Sequence, residues 1–579
     1  MRVLAGDLER LESEGRLLAK VGAHPVVVFW HDHRPWAIED RCPHMGFPLR
    51  QGTVEAGMVT CHWHHARFDL ESGCTLDPFA DDARAYDAAI EDGQVWVSER
   101  PDGDVVGRLE RRLRTGLEDG LTLVIAKSVL GLIEAEVPAH TIVGAGADFG
   151  ATVRGPGWGS GLTVLVAMAN LLPHLHPDDR PLALTHGLAF VSRDSRGHPP
   201  RFPLDPLDTH EIPSERLARW YRRFIETRSP DAAERALATA VRARPPAAVE
   251  EMMFAAVTDH VFIDEGHTID FTNKAFEGID LLGPDSAHRL LPTLVTQTAA
   301  AQRSEEMSAW RHPHDLRTLA AATIGELPAA MAEGAARADR YPDGAVAELG
   351  WALLADEPED VTAALLAAAR AGASPEQLGR AVAFAAALRI TRFHTQNDFG
   401  DWNTVHHAFT TANAVHQALA RRPTPEMMRG VVHGALRVFL DRFLNVPAAR
   451  LPSARSGDLA ELQECWDGQG HVDRAGNVVY GHLRAGGDPA AAVAALGGAL
   501  LAEDAGFHWY QVVEAGVRQA RTWPDGSEEQ ALVLAGVARF LAAHTPTRRE
   551  LPTVFRIAAR LRRGEHLYEE LAEDGPTPA

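Results

Sequence analysis

The stretch CHWHHARFD (61–69) sets His62, His64 and His65 beside Cys61, and CPHMG (42–46) carries Cys42 and His44. Sixteen residues separate His44 from Cys61, so the pattern is C-x-H-x16-C-x2-H. Two thiols and two imidazoles offered in two short clusters form a metal-ligand set. Tetrahedral zinc accepts that set, and so does an iron–sulfur cluster in which histidines take two of the protein positions. Zinc knuckles space their cysteines C-x2-4-C, which disfavours zinc here. The remaining cysteines, Cys74 and Cys465, are isolated, and four cysteines in 579 residues cannot form a disulfide scaffold.

The elements around these clusters read as short strands. PVVVFW (25–30), a polar turn HDHRP, then WAIED (36–40) are β-branched and aromatic runs punctuated by turn residues, and GMVTCHWHHARFDLESG (57–73) and GQVWVSE (93–99) repeat the style. A small all-β module is expected over 1–104, ending in the Pro/Gly-bearing linker RPDGDVVGRLE (100–110). Each cluster then lies in a loop at the end of a hairpin, and two facing loops clamp a metal centre from opposite sides.

The run CHWHHARFDLESG resembles the second cluster loop of Rieske ferredoxins and of the ferredoxin-like domains of Rieske oxygenases, over roughly residues 1–100. The resemblance implies a [2Fe–2S] cluster with Cys42 and Cys61 on one iron and His44 and His64 on the other, neutral nitrogen in place of anionic sulfur raising its potential. His62 stands where proline is common in that family, and His65 where glycine is common. Neither departure removes a ligand. Respiratory-type members carry an extra cysteine pair that here would fall near Phe47 and at Trp63, so the chain resembles the ferredoxin and oxygenase branch.

After the linker, alanine and leucine at helical spacing take over, as in VTAALLAAARAGASPEQLGRAVAFAAALRI (361–390). A large, mostly α-helical domain is expected over 105–579, divisible into lobes near 105–330 and 331–579. HTIVGAGADFG (140–150) nearly fits a dinucleotide fingerprint but lacks the third glycine and a following acidic strand end. It aligns better with three other segments. Around His140, His267, His407 and His508, an apolar helix and a short polar loop precede a second helix that a histidine opens, and Asn273 and Asn413 both fall six residues after theirs. His186 in THGLAFV and His433 in VHGALRV form a further matching pair. Intervals of 127, 140 and 101 residues between the leading histidines exclude a regular solenoid and suit degenerate helical-hairpin repeats in a bundle.

If such repeats pack about a common axis, His140, His267, His407 and His508 converge. With a carboxylate such as Asp264, Glu265 or Asp401 they could hold a second, non-haem iron with open positions, or line an organic pocket without metal; the remaining alternative is scattered histidines with structural roles only. The stretches HLHPDD (174–179), HPHD (312–315) and FHTQNDFGDWNTVHH (393–407) are further ligand-like sets.

A net charge of −22 with no basic block argues against nucleic acid. Apolar runs such as LTVLVAMANLL (162–172) fall short of the roughly 20 residues of a membrane span. The opening residues show no export signal, so a cytoplasmic protein is expected. The whole reads as an iron–sulfur oxidoreductase, oxygenase-like. An external reductase or ferredoxin loads the Rieske cluster, which feeds a histidine site in the helical domain for oxidation of a small organic substrate. The alternative is an electron-transfer ferredoxin fused to a helical docking or redox-sensing module. Oligomeric state, donor and substrate are not legible.

Overall fold

The computed structural model describes residues 2–100, 104–208, 212–453 and 457–565. The chain divides into two compact units, one of residues 1–138 with 551–579 and one of residues 139–550. The expected boundary at 104 falls between the last strand and the first long helix, and the first unit runs on to Pro138.

In the first unit a six-stranded antiparallel sheet has the order β1-β9-β8-β4-β3-β2. Its strands are β1 (Arg2–Asp7), β2 (Arg16–Val21), β3 (His24–His31), β4 (Arg34–Glu39), β8 (Ala85–Glu91) and β9 (Gln94–Glu99). A three-stranded sheet, β5 (Thr53–Glu55), β6 (Met58–Thr60) and β7 (Arg67–Asp69), stands beside it in that order. The run VVVF on β3 is buried on both faces. Because successive side chains point oppositely, Val27 and Phe29 join Ile38, Val59 and Phe68 in one core with Cys42 and Cys61. Val26 and Val28 join Leu11, Leu17 and Tyr86 in the other. Each such buried side chain contributes about 1.5–3 kcal/mol. A short helix, α1 (Leu8–Glu14), follows β1, and α2 (Val105–Asp119) and α3 (Thr122–Glu134) pack against each other after β9.

The second unit is helical, as its composition indicates. Its starts carry the expected signals: Pro375 and Pro425 open their helices, and Ser374 with Gln377 forms a capping box. The helices Ser160–Leu171, Pro375–Thr391 and Glu528–His544 are buried on nearly every side, so they form the interior of the bundle. The helices His267–Leu282, Trp402–Arg421 and Phe507–Ala520, termed the His267, His407 and His508 helices, pack against one another and against these inner helices. Among the described residues no helix is long and apolar enough to cross a membrane.

Candidate functional site

The two Cys/His clusters of the first unit are built by one local device used twice. In the loop after β4, Cys42 N–H donates to Phe47 O (2.8 Å) and Gly46 N–H donates back to Cys42 O (2.7 Å). In the loop between β6 and β7, Cys61 N–H donates to Ala66 O (2.8 Å) and His65 N–H donates back to Cys61 O (3.0 Å). Closing so tight a turn puts the residue four positions after each cysteine at positive φ, +84° at Gly46 and +60° at His65. That requirement explains why glycine suits this position, and His65 meets it without that freedom.

The paired loops bring Cys42 and Cys61 into hydrogen-bonding reach of each other, both buried. The His44 and His64 rings meet edge to face with centroids 4.7 Å apart. Hydrogen bonding with Cys42 holds the Cys61 thiol down at about 6, helped by the backbone N–H groups of Trp63 and His64, whereas the same pairing and burial push Cys42 up. One thiolate therefore forms readily at neutral pH, and a bound cation would draw the proton from the second. Burial, then the charge of Lys127, lowers His44 to about 4, so its ring is neutral. His44 Nδ1 is buried without a hydrogen-bond partner. Two converging thiols, two imidazoles and an orphaned ring nitrogen suit a [2Fe–2S] group of mixed ligation.

A family model described as the Rieske [2Fe-2S] domain matches residues 2–87. Residues 2–87 form a Rieske [2Fe–2S] domain. Similar proteins include Apoptosis-inducing factor 3 of Homo sapiens, 37% identical over 62 residues, which is 10% of this chain and 10% of that protein. The 4beta-methylsterol monooxygenase of Methylococcus capsulatus is 51% identical over 39 residues, 7% of this chain and 11% of that protein. The ferredoxin component of the alkene monooxygenase system of Xanthobacter autotrophicus is 29% identical over 82 residues, 14% of this chain and 67% of that protein. The chain thus spans about a tenth of the length of the first two relatives. The Rieske domain is homologous to ferredoxin components of oxygenase systems, which implies electron transfer. No family is recognised for the C-terminal region.

Details of the Rieske domain fit the ferredoxin type. Where respiratory members would carry their extra cysteines, the Phe47 and Trp63 rings face each other, centroids 6.1 Å apart. His62 Nε2 hydrogen-bonds Thr53 Oγ1 (2.7 Å), which pins the loop where proline is common. The sulfurs are buried while His64 is exposed, so the imidazole side is the one open to an electron-exchange partner.

In the second unit, three of the four leading histidines come together. One nitrogen from each of His267, His407 and His508 lies within 4.8 Å of the other two. His140 does not join them: it is exposed at the start of the helix Ala139–Val153. His406, adjacent in the chain to His407, does. It is fully buried, its ring centroid is 3.9 Å from that of His508, and both its nitrogens lack partners. The HH pair in TVHH was the signal for it.

The ring nitrogens are oriented from behind. His407 Nδ1 faces Glu265 Oε2 at 3.2 Å, and His407 Nε2 is buried without a partner. Gln511 Nε2 donates to Asp270 Oδ2, which turns Gln511 Oε1 to accept from His508 Nδ1 at 3.1 Å. In a neutral ring whose proton sits on Nδ1, each contact would leave Nε2 as the acceptor nitrogen a metal needs. Burial, with the neighbouring imidazoles, lowers His267 to about 3 and His508 to about 4, and lowers His406 well below the ordinary range. The bond to His407 holds Glu265 down at about 2, while burial raises Asp264. Asp401 lies in the turn Phe399–Asp401 before the His407 helix.

The segment that delivers Glu265 and His267 is strained. Phe262, Asp264, Glu265 and Gly266 all have positive φ, between +42° and +95°. A Cβ on Gly266 would sit 1.8 Å from Thr411 Oγ1 of the His407 helix. Strain of this kind costs about 1–3 kcal/mol per residue and persists only where packing enforces it.

Six residues beyond each converging histidine stands a buried polar group that ties its helix to the next. Asn273 Oδ1 accepts from Arg421 (2.7 Å), Asn413 Oδ1 accepts from Gln519 (2.8 Å), and Glu514 Oε2 accepts from Lys274 (2.7 Å). Lys274 also donates to Glu277 (2.8 Å), which Arg518 reaches at 2.7 Å. Removing one member of such a buried pair strands its partner, at a cost of about 3–5 kcal/mol. The other ligand-like stretches are dispersed: His174 and His176 lie on or beside short turns, and His314 faces the exposed Glu357 and Glu359.

Proposed function

We propose that the chain is an iron–sulfur oxidoreductase in which the Rieske cluster, loaded by an external reductase or ferredoxin, passes electrons to a non-haem iron held by His267, His407 and His508 for oxidation of a small organic substrate. The observation that carries this reading is the meeting of three imidazoles from three helices, with His407 and His508 each anchored through Nδ1. Iron with imidazole ligands and open positions supplies oxygen or substrate binding and electron exchange. The protein's own part is to keep His267 and His508 neutral by burial, to orient His407 through Glu265 and His508 through the Gln511–Asp270 pair, and to wall the site with Phe271 and Phe507, whose rings lie 5.5 and 5.9 Å from that of His267. His406 stands ready as a further nitrogen donor beside them.

Iron and acid-labile sulfide analysis tests this on the purified full chain. We expect three irons for two sulfides, with His267→Ala and His407→Ala lowering iron to two while the Rieske electron paramagnetic resonance (EPR) signal persists. Two irons per chain in the unsubstituted protein would instead leave an electron-transfer protein with a docking or sensing module.

A further inference from the structure

The family match ends at residue 87, yet two cations from the helices that follow act on the cluster loops. Lys127, on α3, is buried at 8% exposure within an apolar helix. Its ammonium donates to Pro43 O and to His44 O (3.0 Å), the carbonyls of the first ligand loop. It is 3.3 Å from Asp81 Oδ2, and the same carboxylate takes Arg112 Nε of α2 at 3.3 Å. Arg112 also donates to Pro78 O (2.9 Å) and Ala80 O, and so holds the loop whose Phe79 ring packs edge-on against His44, centroids 5.1 Å apart. Two positive charges thus share one negative charge beside the His44 loop.

We infer that the α2–α3 hairpin sets the reduction potential of the cluster, with Lys127 as the positioning and electrostatic residue and Asp81 as its counter-charge. Reduction adds one electron, and so one negative charge, to the cluster. A desolvated ammonium fixed on the ligand loop favours the reduced form, because Coulomb interactions are screened less in the interior than in water. Its donation to His44 O also draws electron density from the peptide that carries the ligand. Asp81 works in the opposite sense. The inference holds independently of whether the helical unit binds iron.

The test is an EPR-monitored potentiometric titration of the full chain with Lys127→Met, Lys127→Arg and Asp81→Asn. Arginine keeps the charge and has room, because Lys127 and Asp81 edge a cleft of about 740 Å³. Lys127→Met should disfavour reduction at least tenfold, a fall of about 59 mV for one electron. Asp81→Asn should raise the potential, and Lys127→Arg should stay near the unsubstituted value. Opposite signs from the two charge removals are what a merely structural role would not give. An unchanged potential in Lys127→Met with an intact signal, or shifts of the same sign in Lys127→Met and Asp81→Asn, overturns the inference. If Lys127→Met loses its cluster, an unshifted Asp81→Asn overturns it instead.

Discussion

The Rieske loops and the histidine site hold imidazoles in opposite ways. Each Rieske loop closes on itself within six residues, Cys42 to Phe47 and Cys61 to Ala66, through a pair of backbone hydrogen bonds. His267, His407 and His508 are 140 and 101 residues apart, and nothing local brings them together. They meet because Asn273, Asn413 and Glu514 lock neighbouring helices in register, and because packing enforces the left-handed turn through Glu265 and Gly266. A locally closed site concentrates the effect of a substitution on its own ligands, whereas a site assembled by helix register transmits distant packing changes to its geometry.

The largest expected effect separates the two directly. Cys61→Ser removes one of the two buried sulfurs of the Rieske loops, so acid-labile sulfide and the Rieske signal should both vanish and iron should fall from three to one. Under the proposed function the remaining iron is the one assigned to the histidines, and it should be lost only when His407 is also replaced. Retention of a full complement of sulfide in Cys61→Ser would contradict the ligand assignment, and loss of all iron would tie the two centres together.

Local closure also explains what was legible before the structure. Cys42, His44, Cys61 and His64 stand out because a loop that folds on itself must carry its whole pattern in a few consecutive residues. The helical histidines were visible only as a repeat, and the repeat misled at His140. Six residues after His267, His407 and His508 come Asn273, Asn413 and Glu514, each bridging to another helix, but six after His140 comes Gly146. Gly146 packs close against Leu165 and Leu188 and offers no polar bridge. A polar residue at this six-residue offset is what distinguishes the converging repeats. Lys127 was not legible at all, since a lysine in an alanine- and leucine-rich helix shows no sign of the loop it reaches.

Acid should act on the helical unit through two buried neutral imidazoles that belong to neither cluster of ligands. Burial lowers His186 and His433 each to about 4, and His433 Nδ1 has no partner. Their folded values lie below the roughly 6.5 of an unfolded chain, so below that pH the unfolded chain binds protons first. Their contribution is complete above about pH 6.5 and is lost as pH falls toward 4, at about 1.4 kcal/mol per pH unit for each ring. His433→Leu removes one such ring and its unpaired nitrogen. The stability difference between pH 7 and pH 5, from urea unfolding of the helical unit's transition in the full chain, should shrink by about 2 kcal/mol. An unchanged difference would mean that His433 is protonated or solvated in the folded protein.

The smallest effect bears on the Rieske loops and on their likeness to each other. Gly46 and His65 hold equivalent turns at φ +84° and +60°, but only His65 carries a Cβ there. A left-handed residue with a Cβ costs about 1–2 kcal/mol, and glycine returns part of that gain through its greater freedom in the unfolded chain. His65→Gly should therefore stabilise the Rieske unit by less than about 1 kcal/mol, while the cluster signal stays as it was. His65→Val, whose β-branched side chain tolerates positive φ poorly, should lower the thermal midpoint of the same transition. If glycine and valine both destabilise, the His65 side chain supports the loop through contacts that outweigh its backbone strain, and the two loops are alike in hydrogen bonding but not in energy.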